Sequence, residues 1–252
     1  MIVETHVHLC DGKYGADRDA VMERARRAGV EKFVNVSAEL KEIRAIAALD
    51  IEGGFKAFGL HPHNANEFTV DVYGEIEGYF KAQKTAVAVG EIGLDYFRST
   101  TSKREQEEVF RKFLELAAGL DLPVLIHSRE AHDDVYEILK SSGPRKKGII
   151  HCFTGNTGDA ERFVSLGYVL GIGGVVTFPN TKQLSEAVLR TPLESIVLET
   201  DAPWLAPQAA RGKRNEPMYL KDIAAKIAEI KGISAAMVEE KTARNAERVL
   251  NI

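Results

Sequence analysis

Short apolar runs of strand length recur along the chain, separated by stretches in which apolar residues return every three or four positions. The runs span residues 2–9, 32–36, 55–60, 86–92, 124–127, 148–152, 168–172 and 196–199. They predict eight strands. Between them the period lengthens to that of a helix. Ala20, Val21, Ala25 and Ala28 share a face within residues 17–28, and Val109, Phe110, Phe113, Leu114 and Ala117 share one within residues 102–120. A further helix is expected to open at Ser128 and run through Leu139, and two more, over 218–230 and 234–250, to end the chain. Eight strands alternating with helices predict an α/β fold, a (β/α)8 TIM barrel with C-terminal helices. With no linker, low-complexity tract or repeat in view, residues 1–252 read as a single domain.

The polar residues that interrupt the pattern sit where strands should run out into loops. His6 and His8 follow the first run, Glu91 ends the fourth, His127 the fifth, His151 the sixth, and Asp201 follows the eighth. In such a barrel the C-terminal strand ends converge on one axis and carry the chemistry. His6 and His8, two apart, should point to the barrel interior, with Val7 toward the helices. One His-x-His alone is more often a hydrogen-bonded core or surface pair than a ligand pair. Ionisable residues at five apolar strand ends are another matter, because unpaired buried charge is costly. The set points to a metal centre of His6, His8, Glu91, His127, His151 and Asp201.

Four imidazoles and two carboxylates exceed the needs of one tetrahedral ion. Two ions about 3.5–4 Å apart, sharing a carboxylate and a water, use such a set naturally. Glu91 is the expected bridge, and Asp201 the carboxylate that binds one ion and touches the water. Mixed nitrogen and oxygen donors suit Zn2+, Mn2+ or iron, and carboxylates with water also hold Mg2+. His132 falls inside an expected helix and reads as a helix-surface residue. Cys10 and Cys152, each beside a proposed ligand, read as reduced neighbours rather than ligands.

Composition narrows the function classes. Of the 252 residues 44% are hydrophobic and 28% charged, and the net charge of −4 argues against coating nucleic acid through a broad basic surface. A local basic loop remains, Arg211-Gly212-Lys213-Arg214. No apolar run approaches the roughly 20 residues of a membrane span. Met1 leads directly into a strand-like run without the basic and apolar regions of a secretory leader, so a cytoplasmic location is expected. Two cysteines make no disulfide framework.

Taken with Thr5-His6-Val7-His8-Leu9, the segments Gly59-Leu60-His61-Pro62-His63, Gly90-Glu91-Ile92-Gly93-Leu94-Asp95-Tyr96, His127-Ser128-Arg129, His151-Cys152-Phe153-Thr154-Gly155 and Glu199-Thr200-Asp201-Ala202-Pro203-Trp204 resemble the TatD family of metal-dependent deoxyribonucleases. The family lies within the metallo-dependent hydrolase superfamily. The resemblance spans essentially the whole chain, including residues 211–217 and 242–246. One departure is Glu4, where family members often carry Asp. The resemblance implies a TIM-barrel phosphodiesterase cleaving DNA, often as a 3′ to 5′ exonuclease on single strands, with magnesium or another divalent cation. It further implies that His6, His8, Glu91 and Asp201 hold one ion, and Glu91, His127 and His151 the other.

The expected chemistry is metal-assisted hydrolysis, with Asp201 and Glu91 as catalytic residues and Asp201 accepting the proton of the attacking water. His61, His63, Arg129 and Arg214 are candidates to bind substrate phosphates, although His61-Pro62-His63 reads equally as a turn stiffened by proline. Asp95 is a candidate partner for a ligand histidine. The main rival is a hydrolase of an ester or amide, such as the aminoacyl bond of a D-aminoacyl-tRNA, since the same ions polarise a carbonyl. A non-catalytic barrel is disfavoured because no ligand is missing.

Overall fold

In the computed structural model residues 1–97 and 99–252 are described. Eight parallel strands form one sheet in sequence order: β1 (Ile2–Val7), β2 (Val30–Val36), β3 (Gly54–Phe58), β4 (Ala86–Asp95), β5 (Val124–Arg129), β6 (Gly148–Ile150), β7 (Val169–Ile172) and β8 (Ile196–Leu198). Helices α1 (Arg18–Arg27), α2 (Leu40–Ala48), α3 (Val70–Ala82), α4 (Lys103–Leu120), α5 (His132–Ser142), α6 (Thr157–Ser165) and α7 (Lys182–Arg190) alternate with them. After β8 come α8 (Leu220–Lys231) and α9 (Ala235–Leu250). This is the TIM barrel the sequence predicts. It closes just beyond β8, where Asp201 N–H donates to His6 O at 3.0 Å and His8 N–H to Ala202 O at 2.8 Å. The seam is therefore made of candidate site residues.

Two apolar layers hold the barrel together. Val3, Val34, Val36, Ala57, Ala88, Leu125, Ile149, Val169 and Val197 fill the interior, and Ala243, Ala246 and Leu250 of α9 join that cluster. The opposite strand faces, among them Phe33, Phe58, Val124 and Ile126, pack against helical residues such as Phe110, Phe113 and Leu114 of α4. Each of those three side chains is fully buried, worth about 2 kcal/mol apiece by area. The start of α4 is fixed by a capping box. Ser102 Oγ accepts from Glu105 N–H at 3.3 Å while the Glu105 carboxylate accepts from Ser102 N–H at 2.9 Å.

Side-chain parity decides what faces the barrel mouth, and it changes within two strands. Strict alternation from Val3 would turn Thr5 and Val7 inward. A register shift between Glu4 and Val7 reverses this, so Val7 packs with the helices and the imidazoles turn in. A second shift, between Val89 and Ile92 of β4, turns Glu91 in and Ile92 out. Gly93, at φ +142°, follows that shift, and a Cβ there would lie 2.0 Å from His127 O.

Several boundaries differ from expectation, and two of them bear on the site. The first strand ends at Val7, because His8 already bonds to the segment beyond β8. The helix expected from Ser128 begins only at His132: Ser128 still pairs with Leu94 in the sheet, and Glu130, at φ +52°, makes the turn. Among the described residues no helix is long and apolar enough to cross a membrane.

Candidate metal centre and active site

At the C-terminal mouth of the barrel a cavity of about 560 Å³ is lined by His8, His61, Glu91, His127, Arg129, His151 and Asp201, with Trp204 and Leu205 also on its wall. The first group of donors is tight. His6 Nε2 and His8 Nε2 are 3.2 Å apart, and Glu91 Oε2 lies 3.5 and 3.8 Å from them. Asp201 Oδ1 lies 4.0 Å from His6 Nε2 and 3.3 Å from His8 Nε2. Ligand atoms on a tetrahedral ion with bonds near 2.1 Å are about 3.4 Å apart, so four side chains from β1, β4 and the β8 exit have the spacing of one coordination shell.

The other oxygen of Glu91 faces a second group. Glu91 Oε1 is 2.7 Å from His127 Nδ1, 3.6 Å from His151 Nε2 and 4.0 Å from His61 Nε2. His61, Glu91 and His127 bring donor atoms within 4.8 Å of one another. Proximity thus includes His61, a residue expected to touch substrate, alongside the expected pair of His127 and His151. His151 Nε2 also approaches Asp201 Oδ1, at 3.7 Å. One carboxylate facing two imidazole groups through different oxygens is the arrangement a shared ligand requires.

The outer ring nitrogens of His8, His127 and His151 each face an oxygen, as ligand histidines need. His8 Nδ1 lies 2.9 Å from Val36 O, which leaves Nε2 to face the cluster. His127 Nε2 is 2.9 Å from Asp95 Oδ2, the partnership expected of Asp95. His151 Nδ1 is 3.1 Å from Glu199 Oε1, which also accepts the Cys152 N–H at 2.5 Å. His6 is fully buried, yet its Nδ1 has no hydrogen-bond partner. Bringing four imidazoles and several carboxylates together in a largely buried barrel mouth is explicable if cations complete the charge balance.

Protons on the imidazoles serve the same balance. Burial pulls His8 down, but the Asp201 hydrogen bond and the charges of Asp201 and Glu91 outweigh it, and its pKa is pushed up to about 9. His127 behaves alike, with burial opposed by its bonds to Asp95 and Glu91, and also reaches about 9. Burial and the neighbouring His151 instead lower His6 to about 4, and burial with His127 lowers His61 to about 3. Glu91 is held well below the usual carboxylate range; burial works against this, but the charges of His151 and His61 and the His127 hydrogen bond prevail.

Glu199 was missed by sequence reading, although it stood in a quoted motif. Its signal was the period of two through Val197, Glu199 and Asp201, which puts the glutamate inside the barrel. Glu42 was missed as well. It comes from α2 and lines the cavity, where its carboxylate accepts the Ala38 N–H at 2.8 Å.

The candidate substrate contacts fare unequally. Arg129 lines the cavity and stacks over Phe97, 3.9 Å from the ring centroid. His61 lines it too, and its Nδ1 accepts the His63 N–H at 3.1 Å. His63 lies beyond, with Nε2 3.3 Å from Asp95 Oδ2. Arg214 requires correction: its guanidinium donates to Asp17 at 2.6 and 2.8 Å, to Glu216 at 3.0 Å and to Lys13 O at 2.9 Å. It pins the loop after β1 to the loop after β8 instead of facing the cavity. His132 also departs from a helix-surface role. It begins α5 half-buried against Phe153 and Phe163, with Nδ1 3.0 Å from Ser128 Oγ. Both cysteines are free thiols, and Cys152 brings its sulfur within 4.8 Å of donor atoms of His151 and Asp201.

Comparison with known proteins agrees in sequence and shape. The family model described as TatD related DNase matches residues 3–251. The chain is 38% identical over 255 residues to the uncharacterized metal-dependent hydrolase YabD of Bacillus subtilis, covering 100% of both chains. It is 34% identical over 255 residues, covering 98% of each, to a protein of Erwinia tasmaniensis named 3′-5′ ssDNA/RNA exonuclease TatD. The crystal structure of YjjV, a TatD homologue of Escherichia coli K12, superposes with a TM-score of 0.95 at 31% identity, covering 100% of this chain and 98% of that one.

Proposed function

The chain belongs to the family of TatD-related DNases and is a metal-dependent hydrolase, and from that premise we propose that residues 1–252 act as one barrel that removes nucleotides from the 3′ end of single-stranded DNA. The observation that carries the reading is the placement of Glu91, with Oε2 toward His6 and His8 and Oε1 toward His127 and His151. It supports two divalent ions, Mg2+, Mn2+ or Zn2+, one held by His6, His8, Glu91 and Asp201 and the other by Glu91, His127 and His151. The polynucleotide substrate is supported by the Erwinia relative, which carries the name of a 3′-5′ ssDNA/RNA exonuclease, and by the cationic Arg129 on the cavity wall.

Bound divalent ions activate a water and offset the negative charge that builds on phosphoryl oxygens. The chain's own groups do the rest. Asp201 faces the first donor set and takes the proton from the attacking water, a general-base role that contributes about 10²–10⁴-fold. His8, fixed through Nδ1 by Val36 O, turns its Nε2 into the same donor set, 3.3 Å from Asp201 Oδ1. His61 is neutral at pH 7 because burial depresses its pKa, so it offers an N–H to a phosphoryl oxygen without carrying charge. Arg129 reaches the adjoining phosphate as a fixed planar donor.

The test is cleavage of a single-stranded oligonucleotide labelled at its 5′ end, by metal-free protein reconstituted separately with Mg2+, Mn2+ and Zn2+. A ladder shortening from the 3′ end is expected, dependent on metal and absent in Glu91→Ala. Metal-loaded protein that leaves the oligonucleotide intact while hydrolysing an aminoacyl ester would replace the nuclease reading with that of an ester hydrolase.

A further inference from the structure

We propose that Trp204 is a stacking platform for a nucleobase of the substrate, beside the scissile phosphate; the inference rests on the nuclease reading above and gives the cavity a base subsite. Adjoining exposed apolar side chains on the wall of a groove point to a ligand more than isolated ones do. Trp204 is 45% exposed and Leu205 41%. Among the described residues they are the exposed large apolar side chains that line the cavity, since Met1, Val70, Leu189 and Met237 lie elsewhere.

The platform is held from below. Trp204 N–H donates to Asp201 O at 2.9 Å, so the indole sits one tight turn beyond the carboxylate at the centre of the proposed chemistry. Its own carbonyl accepts the Asn215 Nδ2–H at 2.5 Å, and the same amide donates to Thr200 O at 2.8 Å. Asn215 is fully buried. These bonds fix the backbone that carries the indole, so only its two side-chain torsions are left to be ordered when a ligand stacks on it.

One face of the indole is now covered by Lys13, whose Nζ lies 2.9 Å from the ring centroid. That ammonium is exposed and makes no ion pair among the described residues. A cation over an indole marks a face with strong negative potential and no permanent packing partner. A nucleobase competes for the same face, because every base has a π surface of matching size. Its arrival frees the Lys13 ammonium to pair with the phosphate of that nucleotide. Across the cavity Arg129 over Phe97 repeats the combination of cation and ring, the pairing that sequence-tolerant single-strand sites use.

Trp204 is the chain's only tryptophan, so its fluorescence reports on the platform directly. The metal-loaded protein is titrated with two single-stranded oligonucleotides of equal length, one normal and one carrying abasic sugars at its 3′ end, both with phosphorothioate linkages that slow cleavage. Quenching by the normal strand and much less by the abasic one is expected. In parallel, Trp204→Ala should raise KM for the normal, cleavable strand by about 5- to 150-fold. It should leave KM for the abasic strand within about twofold, and Trp204→Phe should restore most of the loss. Normal cleavage with unchanged fluorescence, or an equal rise in KM on both strands, overturns the platform and leaves the nuclease reading standing. If neither strand is bound or cut, the nuclease reading falls and the platform with it.

Discussion

Glu199 touches no candidate ligand atom that faces the cavity, yet it governs one that does. Its buried carboxylate lies 3.1 Å from His151 Nδ1, a charge behind the imidazole whose Nε2 faces Glu91 and Asp201. The space for it is provided by Gly171, where a Cβ would lie 2.2 Å from Glu199 Oε2. Replacing Glu199 by Gln keeps the shape but removes the charge behind the imidazole. Outer partners of this kind are worth about 10- to 100-fold in metal affinity or activity. Glu199→Gln should therefore weaken zinc uptake by that factor, measured by competition with a chromophoric chelator, while the far-ultraviolet circular dichroism stays unchanged; wild-type affinity would remove Glu199 from the site. The residues that would contact metal were legible in the sequence because each stands at a strand end as an ionisable interruption of an apolar run. Glu199 was not, because Asp201 supplied a sufficient ligand two positions on. Arg214 misled for the opposite reason: a basic loop after the last ligand looks like a phosphate site until Asp17, distant in sequence, and Glu216, two positions on, are seen to neutralise it.

At the scale of the element, simple alternation places His127, His151 and Asp201 correctly but not His6, His8 or Glu91. Counting by twos from Ala88 turns Gly90 and Ile92 inward, and Glu91 reaches the mouth only through the register shift in β4. Such an irregularity is set by backbone contacts with neighbouring strands, which leave no mark in the hydrophobic pattern beyond the glycines that flank it. Gly93 is where that dependence can be tested. It adopts φ +142°, a conformation costly for any L side chain, and an added Cβ would strike His127 O and approach His127 C at 3.0 Å. Backbone strain and overpacking together predict that Gly93→Ala destabilises the fold by about 2–5 kcal/mol, and moves His127 with it. Urea denaturation measures the loss. A variant as stable as the wild type would mean that β4 can take another register and that the glycine does not hold Glu91 in place. The late start of α5 follows the same logic, for the left-handed turn at Glu130 is fixed by where β5 must end.

For the molecule as a whole, the barrel closes through the residues that would bind metal, so metal and fold should be thermodynamically linked. The seam between β1 and the chain beyond β8 consists of the His6 and Asp201 backbones and the His8–Ala202 hydrogen bond. Three of the candidate ligands, His6, His8 and Asp201, reach this point from the first and last strands of the sheet, and an unfolded polypeptide cannot assemble them. An ion that binds only the folded state stabilises it by RT ln(1 + [L]/Kd), about 4 kcal/mol at a thousandfold excess over Kd. In a domain of this size 1 kcal/mol moves the melting temperature by roughly 2–4 °C, so about 8–16 °C is expected when Zn2+ or Mn2+ is added to chelator-treated protein. Glu91→Ala should lose most of that rise, since it takes a carboxylate from both donor groups. Lys32→Met should keep it, because Lys32 pairs with Glu247 of α9 on a face of the barrel remote from the cavity. Differential scanning calorimetry with and without metal decides the matter. If the wild type gains nothing, the clustered histidines and carboxylates form a self-neutralised polar core in which His8 and His127 keep their protons at pH 7, and metal is then no part of what joins the two ends of the sheet.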